Sequence, residues 1–156
     1  MRTRELQQLW WDWLGTSERL LRSMYEQTAA LTLRDVARVE RIQPELDQHM
    51  AKLRELDIQA VTLAKKLAEE FGVEPSLRGL VSVLEKAEAQ NLQGLGNRVT
   101  VAARNVQHVL EKNRQLIENE MTYINGSMTL VAKAAVQAAG PFSGTQAESI
   151  LVDQAA

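Results

Sequence analysis

Apolar residues recur at steps of three and four along most of this chain, and the longest such run extends from Leu95 to Ala135. It passes Val99, Ala102, Val106, Val109, Leu116, Ile117, Met121, Ile124, Met128 and Val131, with Asn113 at one seam position, and stops at Gly140-Pro141. A continuous helix over that run is about 60 Å long. Its apolar stripe needs a surface to lie against, either in this chain or in a partner. A polar residue inside such a seam lowers stability and serves, in attested cases, to fix register or partner number. Asn113 is therefore a candidate for that role.

Two earlier segments carry the same period. The first uses Leu6, Leu9 or Trp10, Trp13, Leu20, Met24 and Leu31, and leaves Arg4, Asp12, Glu18 and Glu26 for solvent. Gly15 lies inside it, at a helix cost of about 1 kcal/mol against alanine. Trp10 and Trp13 share a face, which predicts core packing, while Trp11 points about 100° away and is the candidate for an interface. The second segment repeats Val36, Val39, Ile42, Leu46, Met50, Leu53, Leu56, Ala60, Leu63 and Leu67, and ends at Phe71-Gly72. Thr32-Leu-Arg-Asp35 predicts its N-cap and acidic first turn. Pro44 interrupts it, and a missing N–H with a ring clash predicts a kink or short break at Arg41–Gln43.

Val73-Glu74-Pro75-Ser76 reads as a loop feeding a short third helix with Leu77, Leu80, Val81 and Leu84 inward. Gly94 and Gly96 then mark a joint at residues 89–96, either a turn or a weak point in a continuous helix. The pattern as a whole predicts an all-α protein, an elongated antiparallel helical bundle of coiled-coil character. It has about four helices in one domain over residues 1–140. Residues 141–156 are expected to form a flexible tail or a short helix, since Thr145-Gln-Ala-Glu148 has capping-box spacing before Ile150, Leu151 and Val152. That tail is expected to be mobile and to order on binding.

Composition narrows the function. Forty-five per cent apolar and 24% charged residues suit a folded chain. A net charge of −2 gives no electrostatic footprint for nucleic acid. The absence of cysteine removes disulfide and thiolate chemistry. No stretch has signal-peptide or membrane-spanning character, so the cytoplasm is the expected compartment.

No catalytic constellation emerges. Glu45/His49 and His108/Glu111 each set a carboxylate and an imidazole on one helical face, but a di-iron helical bundle needs Glu-x-x-His twice, and this chain has none. No metal and no cofactor are expected. Gly94-Leu-Gly96 lacks the third glycine and preceding strand of a dinucleotide loop. Lys65-Lys66 and the stripe Arg34, Arg38, Arg41 read as solvated charge. What remains is interaction surface, with Met121 and Met128 as adaptable apolar side chains on the last seam.

Asn113-Arg-Gln-Leu116-Ile117-Glu118-Asn-Glu-Met121, followed by Ile124, Met128 and Leu130-Val131, resembles the Asn-x-x-Leu-Leu/Ile stretch of the FlgN flagellar export chaperones. Leu20-Leu21 through Leu31-x-x-x-Asp35 is similar to the end of that family's first helix. The resemblance implies a non-enzymatic cytoplasmic chaperone whose C-terminal half binds an amphipathic segment of hook-filament junction proteins, FlgK-like and FlgL-like. It makes Asn113, Leu116, Ile117, Met121, Ile124 and Met128 the candidate client-binding residues. It also implies a contact with the export gate component FlhA, where Phe142 stands in Pro141-Phe-Ser-Gly144 at the place of a family tyrosine. A monomer or small homo-oligomer is expected. A self-assembling coiled-coil scaffold explains the same seams and stands as the alternative.

Overall fold

The computed structural model describes residues 2–139, with side chains described as far as Thr122. Four helices account for nearly all of it: α1 (Arg4–Thr32), α2 (Val36–Phe71), α3 (Leu77–Val81) and α4 (Lys86–Ala139). No strand occurs among the described residues. The expected tail and Phe142 lie outside them.

Local chemistry sets the helix ends. α1 closes in a Schellman turn, with Arg34 N–H donating to the Leu31 carbonyl and Asp35 N–H to that of Ala30. Arg34 takes the left-handed position at φ 55°, a place where glycine is usual. The cap of α2 is Asp35, whose carboxylate accepts from Arg38 N–H. Thr32, expected as that cap, instead ends α1 and returns its hydroxyl to the Thr28 carbonyl. Gly72 ends α2 at φ 67°, as the sequence suggested, with its N–H bonded to Glu69 and that of Val73 bonded to Ala68.

Two features differ from the sequence expectation or decide between its options. Of the kink or short break expected at Arg41–Gln43, the break does not form, and α2 is helical through Pro44. Pro44 sits on the exposed side, where Glu40, Gln43 and Asp47 border a surface notch open to solvent. The Glu40 carbonyl that loses its N–H partner is thus beside water, while Val39, Ile42 and Leu46 hold the opposite face in the core. The joint at residues 89–96 is no turn either, because α4 is continuous from Lys86. Gly96 has a packing role: a Cβ there would lie 2.6 Å from Leu77 Cδ2 and 3.5 Å from Trp10. The glycine lets α3 and α1 press against α4.

Register follows from contacts at both ends. Arg2 stacks over the Phe71 ring at 3.8 Å and Gln27 reaches Gln43, so α1 and α2 are antiparallel. Thr3 meets Glu88 and Thr28 meets Asn113, each across 85 positions, so α4 runs parallel to α1. The loop and α3 turn the chain at the end of α2, which makes α4 antiparallel to α2. α1 is the central element and packs along both long helices. The core is thin and divided along the length, as an elongated body requires. One cluster joins Leu20, Met24, Ala30 and Leu31 to Val39, Ile42, Leu46, Val106 and Val109. The other joins Leu6 to Ala60, Leu67, Ala68, Leu80 and Leu92. Trp13 is buried, Trp10 packs against the second cluster, and Trp11 is half exposed, in agreement with the spacing argument.

Candidate functional site

The candidate client-binding residues lie on α4, and the fold divides them into groups. Asn113 is buried and faces α1. Its amide donates to the Met24 carbonyl and to Gln27 Oε1, both at 2.9 Å, and its Oδ1 accepts from the Thr28 hydroxyl. Gln27 in turn reaches Gln43, and Gln43 donates to Asp47 at 2.9 Å. One polar layer therefore crosses α4, α1 and α2. A buried amide with its donors and acceptor used fixes axial register, and here it does so within the chain.

Leu116 and Ile117 are half-buried against the first core cluster, and Met121 is buried. Substituting a charge at 116 would therefore strike the bundle as well as any partner. Beside Met121, Glu120 holds Arg34 at 2.6 Å, tying the α1–α2 turn to α4. Ile124 and Met128 lie farther along the same helix, beyond the residues whose side chains are described.

The decisive geometry is where α4 ends relative to its neighbours. α1 and α2 turn back at Leu33–Asp35, level with Glu120, yet α4 continues helical to Ala139. The 19 residues after Glu120 span about 28 Å at helical rise. Only Lys133 among them is charged, and Ile124, Met128, Val131 and Ala135 continue the apolar spacing. Exposed apolar residues also gather at the base of this extension, with Leu33 71% and Val36 47% exposed.

Sequence reasoning missed the anchor at the other end of α4. Glu88 is buried, and its Oε1 accepts from Thr3 N–H at 2.8 Å and from the Thr3 hydroxyl at 2.7 Å. Burial alone would push the Glu88 carboxyl up, but the Thr3 hydrogen bonds with nearby positive charge, including Arg2, hold it below its usual range. The carboxylate lies at the paired N-termini of two parallel helices, where both dipoles favour it. No local motif joins residues 85 positions apart, so only the register of α1 on α4 could have found this pair.

The histidines form no metal cluster, and none of three or more ligating side chains occurs among the described residues. His49 lies 3.5 Å from an exposed Glu45. His108 is exposed, and its expected partner Glu111 pairs with Arg114, whose hydrogen bond holds the Glu111 carboxyl below its usual range. A surface hollow lies beside Trp11, lined by Gln7, Gln90, Asn91, Gly94 and Arg98, with the guanidinium 5.6 Å from the indole centroid. Among the described residues no helix is long and apolar enough to cross a membrane.

These features define a class: an all-α bundle whose last helix outruns the others and carries its apolar seam with it. A family model described as FlgN protein matches residues 1–140, and the chain belongs to the FlgN family of flagellar export chaperones. Neither the curated proteins nor the solved structures yield a match.

Proposed function

We propose that this protein is a cytoplasmic, non-enzymatic chaperone that holds the amphipathic C-terminal segment of FlgK-like and FlgL-like hook-filament junction proteins. It keeps them soluble and unassembled and passes them to the FlhA gate, with Phe142 as the gate contact. The observation that supports this reading is the extension of α4 past the α1–α2 turn with few charges and a continuing apolar spacing. An amphipathic client helix would cover such a surface by placing anchors at i, i+3, i+4 and i+7. Ile124 and Met128 form the heart of the proposed site, with Leu116 and Ile117 at its inner edge. Asn113 and Met121, already buried, support the helix from below and meet a client only where α4 lifts from α1.

Coupled folding of the client subtracts about 2–5 kcal/mol from the gross contact energy, which leaves a complex that can be released. The test is calorimetric titration of the full chain with a C-terminal peptide of a hook-filament junction protein. Ile124→Asp and Met128→Asp are expected to weaken binding at least tenfold, ~1.4 kcal/mol, without loss of helicity by circular dichroism. Unchanged affinity overturns the site. Light scattering that shows an open-ended assembly in place of a monomer, a small oligomer or a defined complex would favour the scaffold alternative.

A further inference from the structure

The α4 seam is already read once in this molecule, by a parallel helix. α1 lies along α4 at a constant offset of 85 residues, from Thr3 on Glu88 to Thr28 on Asn113. α1 then stops at Thr32, while α4 and the spacing of its apolar residues go on through Ile124, Met128 and Val131. The apolar spacing that α1 covers thus continues in the sequence of α4 past the point where α1 ends. An occupant that takes over from α1 is itself an amphipathic helix, set in line with it.

The end of α1 is built to meet such a helix. Leu33, the first residue past α1, is 71% exposed, and Val36, which opens α2, is 47% exposed. Both lie at the hairpin tip where Arg34 pins α4 through Glu120. Polarity also follows. α1 presents its C-terminus, the negative end of its dipole, so an in-line helix is favoured with its N-terminus towards Leu33. Of the carboxylates at the tip, Asp35 accepts from the Arg38 N–H, Glu120 pairs with Arg34, and Glu118, level with Leu33 by the same offset, lies 3.6 Å from Arg114.

We propose that the client's amphipathic helix docks on the α4 extension as an in-line continuation of α1, parallel to α4, with its N-terminal turn abutting Leu33 and Val36. This rests on the chaperone reading and adds to it the hairpin tip, the direction of the client and the reason for two exposed aliphatic residues beside a turn. A helix laid the other way would set two helix C-termini end to end.

The chain has no cysteine, so one introduced at position 33 is unique. The full chain is titrated with the C-terminal peptide of a hook-filament junction protein. Leu33→Asp and Val36→Asp are expected to weaken binding at least tenfold with unchanged thermal unfolding, while Ile58→Asp, at a 66% exposed site on α2, leaves affinity unchanged. With an added thiol oxidant, Leu33→Cys is expected to form a disulfide with a peptide carrying cysteine at the N-terminal end of its helix, and not with one carrying it at the C-terminal end. Normal binding by both tip variants overturns the proposal, and cross-linking to the C-terminal end overturns its direction. A peptide that fails to bind even the unaltered chain overturns the chaperone reading, and this inference with it.

Discussion

Thr3 and Glu88 lie 85 positions apart and are joined by two hydrogen bonds to a single carboxylate oxygen, one from the backbone N–H of Thr3 and one from its hydroxyl. The pair staples the N-termini of α1 and α4. Its energetics are open to titration, because the carboxyl is held below its usual range. A group with a depressed folded-state pKa contributes stability above its unfolded value, near 4.5, and loses it as pH falls through the folded value. Denaturant midpoints at neutral and acidic pH are expected to show that loss in the natural chain and a smaller one in Glu88→Gln. At pH 7 the substitution is expected to cost about 1.5–3 kcal/mol, the range for hydrogen bonds to charged groups.

Asn113 makes the complementary case at the far end of the bundle. Asn113→Ala leaves Gln27 and the Met24 carbonyl without their amide donor in a buried layer. The expected loss is about 1–3 kcal/mol. Asn113→Leu removes the polar group and fills the space, so it is expected to lose less in thermal melts. It also gives up the device that fixes how α4 sits on α1, which amide exchange along α4 would register as weaker protection.

Gly94 and Gly96 are two residues apart and are expected to respond oppositely to alanine. A Cβ at Gly94 meets nothing within 4 Å, so Gly94→Ala is expected to stabilise α4 by about 0.4–1 kcal/mol. At Gly96 the added carbon would press on Leu77 Cδ2 at 2.6 Å. Gly96→Ala is expected to destabilise by about 1–3 kcal/mol as α3 is pushed outward. Chemical denaturation of both variants separates the two outcomes.

Arg34 occupies a left-handed position that costs a non-glycine residue about 1–2 kcal/mol. Its pairing with Glu120 opposes that cost. Arg34→Gly in the natural chain is therefore expected to show a small net change. In a Glu120→Gln background, where the ion pair is already gone, the same substitution is expected to raise the unfolding midpoint. Equal effects in both backgrounds would separate the turn from α4.

Much of the secondary structure was legible in the sequence because helical periodicity is a local property. Leu6, Trp13, Leu20, Met24 and Leu31 marked the buried face of α1, and all five are buried. Gly72 announced its own cap. Pro44 does not break α2, because its local penalty is outweighed by the core contacts of Val39, Ile42 and Leu46 and eased by an exposed carbonyl beside the proline. The part of the seam around Asn113 was recognised as special, but the partner of its polar residue could not be read from spacing.

What the sequence alone determined was that the chain is helical, which faces of its helices are apolar, that the longest apolar seam lies in α4 and, through its motifs, the family. The tertiary structure decided that α4 lies parallel to α1 at a fixed offset. It also showed that Asn113 spends its hydrogen bonds inside the chain, that Gly96 exists for a close approach, and that α4 outlasts its neighbours past Glu120. The physical reason is that heptad-like stripes are nearly interchangeable along their length. Sparse long-range polar contacts, Thr3 with Glu88 and Thr28 with Asn113, select one alignment, and that alignment leaves the end of α4 beyond the reach of α1.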